Sequence, residues 1–235
     1  MTASSFSMQQ ALRRCALLAG ALVLGMLAIF VFTGVGQDPL QYVHPAADYA
    51  RLLLADPPVL RATIGLDNLF IVAYGAVFVL MVSLAWRDAG ARLLLGTALA
   101  LLMGLALLDM VENFHFLAML ASAEQGHPPG DAEIAWQATE SMLKFHVSYL
   151  GLCLLGLGLP RADMKQRLLA KLLVFVQWPV GVAIYVLPQS IAVPLVFVRF
   201  AFFLASFTLL AMIHRPQALP ADAPLRDAGG SGARA

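Results

Sequence analysis

Charge is what this chain has least of. Only 12% of its 235 residues are Asp, Glu, Lys or Arg, while 60% are hydrophobic, and mean hydropathy is +0.80. A soluble domain carries about 25% charged and 45–50% apolar residues, so the shortage excludes an ordinary water-soluble globule. An excess of basic charge is missing as well. Fifteen Lys and Arg against fourteen Asp and Glu leave a net +1, which makes no field for nucleic acid, and no such partner is expected. Cysteine is nearly absent. Cys15 and Cys153 fall in apolar runs expected to be different helices. That excludes a CxxC redox or metal pair and predicts free, buried thiols. Ser83, Ser148 and Ser206 sit in no nucleophile elbow, which leaves a serine hydrolase without its motif.

What the chain does have is long apolar runs. A hydrocarbon core about 30 Å thick takes about 20 residues of helix. Six segments reach that length, at about 13–35, 60–86, 91–121, 137–159, 168–187 and 191–213. The first follows Arg13-Arg14 and is longer than a signal peptide's apolar region of about 7–15 residues, so it is expected to stay as a membrane helix. The expected fold is therefore an all-α, polytopic six-helix transmembrane bundle forming one domain over residues 1–213.

Basic residues sort the connections. Arg87 and Arg92 follow the second run, Arg161, Lys165, Arg167 and Lys171 cluster around the start of the fifth, and Arg215, Arg226 and Arg234 follow the sixth. The alternate connections hold only Arg51. By the positive-inside rule both termini are expected in the cytoplasm, in a multi-pass protein of a bacterial cytoplasmic (inner) membrane. The segment 214–235, rich in Pro, Ala and Gly, is expected to be a disordered cytoplasmic tail. In the first outer connection, 36–59, Pro45 is expected to open a short surface helix ending before Pro57-Pro58, with Tyr49, Leu52, Leu53 and Leu54 on its apolar side.

The few charges inside the runs gather at one depth. Measured from the centre of each span at 1.5 Å per residue, Asp67 lies about 9 Å, Asp109 about 6 Å and Glu112 about 10 Å toward the outer side. Lys144, His146 and Arg199 follow at about 7, 4 and 5 Å. One isolated Asp, Lys or Arg near a helix centre costs about 2.5–3.5 kcal/mol, so these groups are expected to face inward and meet one another. Asp109, Glu112, Asn113 and Phe116 form one stripe by their i, i+3, i+4, i+7 spacing. Asp67 and Tyr74 share a face, with Asn68 beside them, and Glu140, Lys144 and Ser148 recur every four residues. His146 points about 160° away from Lys144.

This layer predicts a pocket for a small polar or amphiphilic ligand. Asp109, Glu112 and Lys144 are the candidates for acid/base catalysis. Asp67, Asn68, Tyr74, Asn113, His146 and Arg199 are the candidates for ligand binding. Glu112 and His115 form an ExxH pair that a divalent metal could share with Asp109, Asp67, His146 or His44. Three classes follow: a lipid-directed enzyme, metal-assisted or acid/base; a small ion- or proton-coupled transporter; and a structural or partner-binding protein whose charges fix helix register. The absence of matching polar patterns in spans 1–3 and 4–6 weighs against an inverted-repeat transporter. At this chain length a carrier is expected to work as a homo-oligomer or to have an atypical fold.

Overall fold

The computed structural model describes residues 3–86 and 91–215, without the side chains of residues 3–6, 189 and 190. The connection holding Arg87 and the tail from residue 216 lie outside the described residues. No strand occurs among those described. The elements are α1 (Ala3–Thr33), a 3-10 turn (Asp38–Gln41), α2 (Ala46–Leu53), α3 (Pro57–Ala85), α4 (Arg92–Glu124), α5 (Asp131–Gly158), α6 (Met164–Lys171), a π-helical turn (Leu172–Val176), α7 (Gln177–Val186) and α8 (Gln189–Ile213).

Six helices are long and apolar enough to cross a membrane: Ser7–Thr33, Pro57–Ala85, Arg92–Glu124, Asp131–Gly158, Met164–Val186 and Ile191–Ile213. They coincide with the six runs read from the sequence. The fourth begins at Asp131 rather than near 137, because Asp131 and Glu133 stand in its first turn, where acidic groups suit the exposed N–H groups and the helix dipole. The side-chain pattern is inverted relative to a soluble protein. Leu18, Phe32, Leu69, Leu107, Phe114 and Phe175 point outward, while Asp67, Asp109, Glu112, Lys144 and Arg199 are buried. That is the arrangement compatible with an integral membrane protein.

Packing closes the six spans into a ring in the order α1, α3, α4, α5, α7, α8 and back to α1. At one end, here the loop end, the chain between α1 and α3 folds over the ring. The expected helix after Pro45 is α2. Its Tyr49 and Leu53 are buried with Leu60, Phe116, Leu120 and Ile134, so α2 packs down on the bundle rather than lying free on its surface. Asp56 accepts a hydrogen bond from the Val59 N–H and starts α3, with prolines in the first turn.

Glycine sets the closest contacts. A Cβ at Gly151 would stand 2.9 Å from Leu102, and one at Gly158 the same distance from Leu95, so the α4–α5 seam admits no side chain at either. The glycine-rich run of α5 thus serves close packing, as its composition predicts. The run in α4 does so less, since a Cβ on Gly104 would meet nothing within 4 Å. The fifth span is interrupted by a π turn just before Gln177-Trp178-Pro179. Pro179 has no N–H to complete the ladder, and the Trp178 indole donates to the Val174 carbonyl at 2.6 Å, one carbonyl that the altered ladder would otherwise leave exposed. Beyond this break Gly181 lies directly under the Tyr149 ring, where a Cβ would overlap the ring atoms. Gly181→Val is therefore expected to cost about 1–3 kcal/mol through overpacking, read as a lowered midpoint of thermal unfolding in detergent, with Gly65→Ala, which meets nothing within 4 Å, as the comparison.

Candidate functional site

The expected stripe on α4 exists: Asp109, Glu112, Asn113 and Phe116 are all buried. The three polar members bond to neighbouring helices. Lys144 of α5 donates to Asp109 Oδ1 at 2.8 Å and to Glu112 Oε2, so one ammonium bridges two carboxylates. Ser141 donates to the other Glu112 oxygen, and Gln137 Nε2 donates to Ser141 at 2.8 Å. The Tyr49 hydroxyl stands 3.1 Å from Gln137 Oε1, which ties α2 to the same chain of bonds. From α3, the Tyr74 hydroxyl donates to Asp109 Oδ2 at 2.8 Å. Asn113 Nδ2 lies 2.8 Å from Asp67 Oδ2 and 3.0 Å from Asn68 Oδ1. Its oxygen accepts from Gln37 Nε2 at 3.0 Å. Helical spacing explains why these groups converge: Asp67 and Tyr74 are two turns apart, and Gln137, Ser141, Lys144 and Ser148 form one stripe.

Arg199 stands in a second group beside the first. It was expected among the carboxylates of the second and third spans, but its Nη2 donates instead to Asp38 Oδ1 at 2.7 Å. Asp38 belongs to the connection before α2, which reaches into the mouth of the ring. The guanidinium lies over the Phe145 ring at 4.2 Å and the Lys144 ammonium over the same ring at 4.6 Å. The Arg199 side chain faces Tyr42, Tyr149 and Tyr185 as well as Asp38. Its Nε and Nη1, together with the hydroxyls of Tyr42, Tyr149 and Tyr185, are buried and find no hydrogen-bond partner among the described residues.

Asp67, Tyr74, Asp109 and Lys144 of the first group and Asp38, Tyr42 and Arg199 of the second line one cavity of about 290 Å³ at the centre of the ring. On α3 its wall runs from Thr63 through Asp67, Phe70, Tyr74 and Val77 to Met81, a length of about 27 Å at 1.5 Å per residue. The wall changes character along that length. Asp38, Asp67, Asp109, Lys144 and Arg199 crowd the loop end, whereas Phe78, Met81, Leu152, Leu155, Leu173 and Leu210 line the rest. Glu112 does not line it. Glu112 is fully buried behind Lys144 and acts on that ammonium.

Several expected residues do not join. His146 is exposed; its Nδ1 lies 2.7 Å from the Met142 carbonyl, in the same turn of α5, and it borders Tyr149 and Tyr185 from outside. Glu140 leaves the Lys144 stripe to meet His115 at 2.8 Å, with Glu133 at 3.8 Å from the same ring. The ExxH pair is thereby divided, since Glu112 turns to Lys144 and Ser141 while His115 turns to Glu140. His44 lies against the Pro39 carbonyl at 2.8 Å. Among the described residues no three His, Cys, Asp or Glu stand where they could share a metal ion. The metal ligands expected from sequence are therefore not assembled. Cys15 and Cys153 are free, but half-buried rather than buried.

Sequence reasoning missed Asp38, Ser141, Gln137 and the three tyrosines. Only Asp38 left a signal: Arg199 needed a counter-charge, and the connection nearest it holds few acids. Burial pushes the Asp38 carboxyl above its usual range, outweighing the pull of Arg199 and Lys144. The closed connection thus binds that proton more tightly than an open one would, so closure is strengthened at low pH and loosens as pH rises through the raised value. Hydrogen exchange across residues 37–41 is expected to quicken over that window beyond its intrinsic pH dependence, and Asp38→Asn is expected to remove the excess.

No family model, curated protein or solved structure matches the chain.

Proposed function

We propose that this is an integral membrane protein whose central cavity holds an amphiphile, with the polar head at the charged loop end and the apolar chain along the ring axis. The observation that carries the reading is the division of one continuous wall: charged side chains at one end and aliphatic and aromatic side chains along the remainder. A purely structural ion network needs no cavity. A volume of about 290 Å³ falls at the lower edge of small-molecule pockets, about 300–1,000 Å³, which suits a single slender chain. Lys and Arg gathered on the connections of the terminal end support an orientation with both termini in the cytoplasm and the charged end in the outer half of the bilayer. The location is a cytoplasmic membrane of a bacterium.

The same wall supports acid/base chemistry on the bound head. Asp109 and Lys144 line the cavity, and Glu112, held by Ser141, sits behind Lys144 and sets its position. A lipid-directed enzyme is the form of the proposal that uses every member of this chain of bonds. Asp109 would accept or return a proton, and Lys144 would steady negative charge on the head.

Native mass spectrometry of protein extracted in mild detergent tests the reading. Wild-type protein is expected to retain or take up single-chain amphiphiles. Leu152→Trp, which fills the wall of the shaft, is expected to expel them, and Leu152→Ala to admit bulkier chains. Failure of the wild type to take up any amphiphile, or chain selection unmoved by both substitutions, would overturn it. Introduced cysteines at Glu124 and Met164, in a background with Cys15 and Cys153 replaced by Ser, check the orientation. Only the first is expected to react with an impermeant maleimide added outside the cell.

A further inference from the structure

The two groups at the loop end of the cavity carry opposite unmet needs. At formal charge, Asp38, Asp67, Asp109 and Glu112 stand against Lys144 and Arg199 alone, so two carboxylates lack a counter-charge. Asp67 is one of them: it accepts from the Asn113 amide, not from a cation, and it faces the cavity. Arg199 is the reverse case. It is 2% exposed and lines the same cavity, it donates to Asp38 through Nη2, and its Nε and Nη1 have no hydrogen-bond acceptor among the described residues. The Tyr42 hydroxyl, on the same cavity wall, is equally unpartnered there. Buried donors left without acceptors each carry a desolvation penalty, and a ligand that satisfies them recovers it.

From these two halves we infer that the cavity recognises a zwitterionic head on a single apolar chain. An ammonium is set against Asp67, with Asp109 near, and a phosphate or carboxylate is set against Arg199 and the Tyr42 hydroxyl, which line the same cavity. The inference rests on the amphiphile reading above and specifies its head. An anionic head alone would deepen the excess of negative charge, and a cationic head alone would leave the Arg199 and Tyr42 donors unmet. The two halves adjoin through Lys144 and Asp109. Lys144 and Arg199 both lie over Phe145, so they are no more than about 9 Å apart, and Asp109 is 2.8 Å from Lys144. Asp38 then acts as an internal stand-in, holding one edge of the guanidinium while leaving two N–H groups for the ligand. Its raised affinity for protons fits a carboxylate that an incoming anion displaces without a large penalty.

Binding of lysophosphatidylethanolamine and lysophosphatidylglycerol with the same acyl chain, read by native mass spectrometry on the full chain, tests the head. The two share chain and phosphate and differ in the ammonium. The ethanolamine form is expected to bind roughly tenfold tighter or more, as one charged hydrogen bond supplies. Asp67→Asn is expected to reduce that preference below about threefold, and Arg199→Gln to weaken both lipids alike by roughly tenfold. Thermal unfolding of each variant identifies any that fails to fold, and Tyr42→Phe, a smaller change in the same group, is expected to weaken both lipids in the same sense. Equal binding of the two lipids by wild-type protein would overturn the zwitterionic head while leaving the amphiphile. Binding of neither would overturn the amphiphile reading itself. Free phosphoethanolamine is expected to compete poorly. Binding as tight as the lipid's would keep the head and overturn the chain.

Discussion

Lys144→Met is expected to be the most damaging single substitution in the molecule, lowering stability by about 3–5 kcal/mol, the range seen when one partner of a buried ion pair is removed. The side chain it replaces meets both Asp109 and Glu112, and Met is close enough in shape that packing changes little. The loss therefore reports charge. Glu112 is fully buried; without Lys144 it keeps only the Ser141 hydroxyl as a donor. Asp109 keeps only Tyr74. Either both take up protons or the ring opens to let water reach them. Unfolding by denaturant in detergent measures the difference. A loss under about 1 kcal/mol, the scale of an exposed ion pair, would mean that water already reaches the cluster.

The converse case shows why this site was partly legible in the sequence and partly not. Charges inside apolar runs are costly wherever they fall, so Asp67, Asp109, Glu112, Lys144 and Arg199 declared themselves without any structure. Spacing of three and four then put Asp109, Glu112 and Asn113 on one face of α4, as found. Spacing alone could not choose between neighbouring stripes on α5. Glu140 and Ser141 are adjacent, and it is the serine that turns inward while the glutamate goes to His115. Hydropathy would favour neither. Asp38 and the tyrosines were hidden for a different reason. Asp38 lies in a connection, whose path over the bundle no periodicity describes. Tyrosine suits any apolar helix, so its hydroxyl carries no signal until a buried guanidinium is found beside it. The ExxH pair erred in the opposite direction: i, i+3 spacing brings two side chains to one side of a helix, but each still chooses its own partner across the seam.

Replacing the whole ion network separates what it does for folding from what it does for a ligand. In the triple variant Asp109→Asn, Glu112→Gln, Lys144→Met, every hydrogen bond from Tyr74 and Ser141 still has an acceptor, positions 109 and 112 carry no charge, and Asp67 keeps the Asn113 amide. Neutral replacement of a buried ion network is often without cost, so stability is expected to return to within about 1 kcal/mol of wild type, far above Lys144→Met alone. Affinity for a single-chain amphiphile with a charged head is expected to fall by roughly tenfold or more, since the variant keeps the apolar shaft and loses the charges at its end. The two readouts must diverge for the network to be functional. If affinity stays at the wild-type level while stability recovers, the charges at this end of the cavity serve helix arrangement alone. If stability does not recover, the penalty in Lys144→Met comes from lost packing around the lysine stem rather than from an uncompensated carboxylate, and the ammonium bridging Asp109 and Glu112 is not what holds α4 to α5. Tyr74 and Ser141 favour the first divergence: each already gives Asp109 or Glu112 a neutral donor, so the bundle can keep its shape without the lysine charge while a ligand cannot keep its contact.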